Sequence, residues 1–140
     1  MTPAGGHRLS YTQATTSLRR SAVVVGCKFS AEKPFFVRRG GPLYGEGKIT
    51  KCTHPKPDEC HLIVALEQYS LHIKGHWGIL SEVDKKWGPC KVGLTGQPHY
   101  ECKHLIVRHK FRTLSTLAIL YHGQHGGNVV ASPSVREWCD

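Results

Sequence analysis

"YTQATTSLRRSAVVVG", residues 11–26, decides the fold class. It opens with hydroxyl side chains able to accept hydrogen bonds from the first free N–H groups of a helix. Leu18, Ala22 and Val25 then fall on one helical face, with Arg19 and Arg20 elsewhere. Gly26 supplies a stop. The β-branched run at 23–25 leaves open a turn into strand at the end. Read as a helix, the stretch predicts a single N-terminal α-helix.

Downstream, the pattern is extended. Residues 32–60 are rich in Gly and Pro and read as turns around short extended pieces. "HLIVALEQYSLHI" (61–73) reads as a buried strand, and residues 76–102 offer at most a short one. "KHLIVRHKF" (103–111) and "TLAILYH" (116–122) read as two strands of a hairpin joined by "RTLS", with "NVVAS" a last strand. The expectation is α+β: one N-terminal α-helix packed on a central antiparallel sheet, with long loops and disulfides. Residues 1–10 read as a flexible leader and 11–140 as one domain.

Composition narrows the partners. Hydrophobic residues make up 39% of the 140, which excludes a disordered composition. The formal charge is +9 with ten histidines neutral. That balance favours phosphate-bearing partners or anionic surfaces. Six cysteines, Cys27, Cys52, Cys60, Cys90, Cys102 and Cys139, form an even set in a short chain and read as disulfides of a secreted protein. The alternative is a zinc-bound nucleic-acid module on "CTHPKPDECH", using Cys52, His54, Cys60 and His61. It lacks the paired Cys-x-x-Cys spacing of zinc ribbons. No apolar leader is visible at the N-terminus, so secretion requires that one was removed.

The strands end in titratable side chains. Glu67 lies near the end of one, Arg108, His104 and His109 on the next, and His122 ends the third. A carboxylate, a cation and an imidazole on neighbouring strands suit cleavage of RNA through its own 2′-hydroxyl, without a metal or cofactor. Against this stand plain readings: Glu67 as a surface carboxylate, Arg108 as an edge-guarding charge, His122 as a half-buried histidine.

The order of these stretches resembles the fungal guanyl-specific ribonuclease superfamily, which includes the ribotoxins. "YTQATTSLRRSAVVVG" resembles its opening segment and helix, and "PLYGEGKI" (42–49) its Tyr/Asp-Gly segment. "HLIVALE" resembles the strand of the general-base glutamate. "KHLIVRHKFRTLSTLAILYHGQHGG" resembles the arginine strand and the histidine strand. The resemblance implies Glu67 as base, His122 as acid, and Arg108 or His104 at the arginine position. Phe35 or Phe36 stands where the family has a base-assisting histidine, which implies an impaired site. The family's N-terminal cysteine is also absent, so Cys27 becomes a substitute partner for Cys139.

Such departures are similar to those of the ribonuclease-like effectors secreted by plant-pathogenic fungi, powdery mildews above all. The implied role is a monomeric virulence protein that reaches host cytoplasm and binds host RNA, ribosomes or proteins. A plant immune receptor is a further implied partner, and no membrane is expected. An active endoribonuclease forming cyclic phosphates is the alternative. RNA phosphates would meet Arg38, Arg39, Lys48, Lys51, Lys56, Lys85, Lys86, Arg108, Lys110 and Arg112. Phe35, Phe36, Tyr44 or Trp87 would stack on bases.

Overall fold

The computed structural model describes residues 10–70 and 75–140. Within them the chain is all-β, so the α+β expectation is corrected. The predicted helix is a hairpin of β1 (Tyr11–Arg20) and β2 (Val23–Phe36). Thr12, Ala14, Thr16 and Leu18 pair with Ala31, Phe29, Cys27 and Val25. This two-residue period carries the buried face. Leu18 and Val25, which also share a helical face, are instead cross-strand partners. Three threonines in β1 and the valine run in β2 favour the extended backbone, where branched side chains keep their rotamers. The turn is Ser21–Ala22, with Ser21 at φ 56°. The leader at 1–9 lies outside the described residues.

β3 (Leu43–Cys52) pairs with β2, and β6 (Thr95–Gly96) and β7 (His99–Tyr100) pair along its other edge. The second sheet has the order β5 (Trp77–Gly88), β4 (Glu59–Tyr69), β8 (Arg108–Tyr121). Both β9 (Gln124–Ala131) and β10 (Val135–Trp138) pair with the far edge of β8. Every pairing is antiparallel. The anticipated hairpin at "RTLS" does not exist. Residues 112–115 continue β8 because Phe111, Thr113, Ser115, Leu117 and Ile119 keep an unbroken inward alternation. Residues 103–107 are not strand, and Leu105 and Ile106 are exposed, Ile106 by 74%.

The two sheets stack over Phe29, Ile49, Leu62, Val64, Leu117 and Ile119, with a smaller cluster of Leu43, Leu66 and Phe111 at one end. Near Gly47 the sheets approach closely, and a Cβ there would collide with Ser115 Oγ. That approach lets Ser115 Oγ donate to Ser30 O at 2.9 Å, while Thr16 Oγ1 donates to Leu117 O at 2.9 Å. Buried hydroxyls thus bond across the sandwich where alternation alone predicts apolar contact.

All six cysteines are bridged: Cys27–Cys52, Cys60–Cys90 and Cys102–Cys139. The Cys27–Cys139 pairing is therefore corrected. The zinc set of Cys52, His54, Cys60 and His61 loses both thiolates to bridges. Each bridge closes a loop worth about 3.5–4 kcal/mol of unfolded-chain entropy. Three of them mark a secreted, disulfide-rich protein. No helix among the described residues is long and apolar enough to cross a membrane.

Candidate polyanion-binding face

Because Leu62, Val64 and Leu66 of β4 and Phe111 and Thr113 of β8 point inward, their neighbours form the outer face of the second sheet. Register places Glu67 opposite Arg112. Arg112 Nε donates to Glu67 Oε1 at 2.7 Å, and Glu67 is only 5% exposed. A carboxylate this buried needs its cation. The same guanidinium lies 4.2 Å from the Trp77 ring centroid. Trp77 pairs with Tyr69 across β4 and β5, their rings edge-on at 5.2 Å. Lys110 Nζ stands 5.0 Å from the Tyr69 ring.

β10 extends the pattern. Arg136 is the register partner of Lys110, and Trp138 of Arg108. Arg108 lies 5.8 Å over Trp138 and donates to Arg136 O at 3.4 Å. One end of this face therefore gathers Trp138, Arg108, Arg136, Lys110, Tyr69, Trp77 and Arg112. Arg108, Lys110 and Arg112 each sit by an aromatic face, and Arg112 is also held by a carboxylate. Beside Trp138 a cleft of about 510 Å³ opens, lined by Phe36, Arg39, Leu105 and Glu137.

The far end of the same face carries His61, whose Nε2 shares a 2.5 Å hydrogen bond with Asp84 Oδ1. Trp87 packs between His61 and His125, at 5.3 and 6.0 Å.

The residues singled out from sequence scatter over this frame. Glu67 meets Arg112, whereas the sequence points to Arg108 or His104 at the arginine position. Arg108 opens β8, and His104 lies in the irregular segment before it. His122 lies beyond the other end of β8, ten residues past Arg112, on the order of 33 Å away at strand rise. His122 and Gly123 form the two-residue β8–β9 turn, both with positive φ, 48° and 79°. That is the type I′ conformation which fits the strand twist. The His122 N–H donates to Asp58 Oδ2 at 2.8 Å. The structure thus shows His122 in a turn, remote from Glu67.

Of the RNA candidates, Arg108, Lys110 and Arg112 belong to the cation–aromatic face. Lys48, Lys51, Phe35 and Tyr44 face outward from the other sheet, where Phe35 stacks on Tyr44 at 5.9 Å. Lys85 and Lys86 sit on the edge strand β5, and Arg38 and Arg39 in the β2–β3 connection. Trp77, Tyr69, Arg136 and Trp138 escaped sequence reasoning. The signal was present: "RHKFR" and "VREW" each repeat cation or aromatic every second residue.

No family model matches this chain, and neither a curated protein nor a solved structure does.

Proposed function

We propose that the protein is a secreted binding module for single-stranded RNA, held on the outer face of the second sheet. The supporting observation is the grouping of Arg108, Lys110 and Arg112 against Trp138, Tyr69 and Trp77, with Arg136 paired to Lys110. Cations at strand spacing meet successive phosphates, while exposed rings offer stacking platforms to unpaired bases. Phe36 and Trp138 make an aromatic wall in the adjoining cleft, and Arg39 supplies a cation there for an unstacked nucleotide. Of the roles implied by the ribonuclease resemblance, RNA binding is the one this face supports. Glu67 and His122 lie too far apart to act on one phosphodiester.

Fluorescence anisotropy with labelled oligouridylate tests the reading. Three cations without a carboxylate partner, Arg108, Lys110 and Arg136, set an expected slope of log K against log salt of about −2. Lys110→Gln lowers the slope by about 0.7. Affinity that stays flat with salt, or that ignores Lys110→Gln, removes this face from the account. The RNA is expected to remain intact.

A further inference from the structure

The three bridges are not equivalent. Cys27 and Cys52 are register partners on β2 and β3. Their bridge lines a cleft of about 280 Å³ together with Gly26, Thr53, Lys28 and Lys51. Cys27 is 2% exposed, whereas Cys52 is only half-buried. Of the bridge's two cysteines, Cys52 is therefore the accessible one. Lys28 and Lys51 are themselves paired across the strands, so two ammonium groups flank the opening.

The inner side of this bridge meets the second one. The Sγ atoms of Cys27, Cys60 and Cys90 all lie within 4.8 Å of one another. All three cysteines belong to one core cluster, shielded from water. Lys56 Nζ donates to Cys90 O at 3.3 Å, adding a cation beside the inner bridge. The third bridge, Cys102–Cys139, also has a half-buried cysteine, Cys102, but Glu101 and Asp140 outnumber Lys103 among its sequence neighbours. Carboxylates there repel an anionic thiol and disfavour thiolate.

We infer that Cys52 is a thiol-modification site for a small anionic thiol, coupled by exchange to the buried Cys60–Cys90 bridge. The thiolate attacks Cys52 Sγ, forming a mixed disulfide as the Cys27–Cys52 bond breaks. Cys27 leaves as thiolate. It then attacks Sγ of Cys60 or Cys90, forming a new bridge as the Cys60–Cys90 bond breaks. The sulfur released takes a proton and remains as a core thiol. Each step makes one S–S bond and breaks one, so no oxidant is needed. The lysine pair attracts the incoming anion and stabilises thiolate. This site is on the opposite sheet from the RNA-binding face and does not depend on it.

The test is to expose the native protein to reduced glutathione, quench with N-ethylmaleimide, and map peptides without reduction. The expected products are glutathione on Cys52, a Cys27–Cys60 or Cys27–Cys90 cross-link, and an intact Cys102–Cys139 bridge. At low salt glutathione reacts about fivefold faster than cationic cysteamine, and the ratio collapses in high salt. Lys28→Gln with Lys51→Gln, both exposed changes, removes that ratio while near-ultraviolet circular dichroism stays native. Three results each overturn the inference: adduct on Cys52 without a new cross-link, first reaction at Cys102–Cys139, or no reaction of the folded protein.

Discussion

Both sheets carry cations on their outer faces and differ in what stands beside them. On the first sheet like meets like. Lys28 opposes Lys51, Glu32 opposes Glu46, and the Phe35–Tyr44 pair stands apart from the lysines in the register. On the second sheet Arg108, Lys110 and Arg112 lie against aromatic rings, and one carboxylate, Glu67, fixes Arg112. Cross-strand neighbours set the behaviour of a charge in a sheet. Opposed like charges repel and stay solvated, whereas cations laid on rings are ordered before any ligand arrives. That ordering reduces the entropy lost on binding. A net charge of +9 thus marks a preference for anions without locating it.

The sharpest way to break the comparison is to remove rings from each face. Tyr69→Ala with Trp77→Ala is expected to weaken oligouridylate binding by about 2 kcal/mol or more, since a stacked base is worth roughly 1–3 kcal/mol. Phe35→Ala with Tyr44→Ala leaves affinity within about twofold, well under 1 kcal/mol. Equal losses from the two pairs would erase the distinction. Next in size, Glu67→Ala strands Arg112 and lowers unfolding free energy by about 1.5–3 kcal/mol in urea titrations, the range for a hydrogen bond to a charged group. An unchanged midpoint would show that the ion pair does not order this face.

Turn chemistry gives smaller effects. Ser21 holds a positive φ without a glycine's freedom. Ser21→Gly should raise stability by about 0.5–1 kcal/mol, the left-handed penalty less glycine's extra chain entropy. The smallest effect belongs to the first sheet. Burial raises the Glu32 pKa above its ordinary value, Lys48 opposes this, and Glu46 adds to it. A raised carboxyl pKa means that the folded state binds the proton more tightly than the unfolded state. The resulting penalty is present above the folded pKa and fades as pH falls to the ordinary carboxylate range. Glu32→Gln should therefore raise Tm slightly at pH 7 and not at pH 4. A gain that persists at pH 4 would assign it to something other than ionisation.

Part of this was legible along the chain. "HLIVALE" is a buried strand because Leu62, Val64 and Leu66 all face the core. The six cysteines are disulfides, as an even set in a short chain suggests. The first hairpin was not legible. Residues 11–26 satisfy a helical face and a strand period at once, because Leu18 and Val25, seven apart, close on each other either way. The run at 104–107 reads as buried strand by composition, yet β8 begins only at Arg108. The backbone N–H of Cys139 bonds to Val107 O, and that of Asp140 to His104 O, so the chain end claims this segment. His122 reads in the sequence as a catalytic residue at a strand end. Its positive φ and the Asp58 contact are backbone facts that no residue type announces.

By itself the sequence determined a basic, disulfide-rich chain with period-two apolar strands, because composition and alternation act residue by residue. Only the tertiary structure decided that the chain is a two-sheet sandwich, that Glu67 meets Arg112, and that rings and cations gather on one face. Those outcomes depend on register. A shift of one residue would turn every side chain of a strand to the other face. Register is settled by the packing of both sheets together, over contacts far apart in the chain, and not by any local stretch.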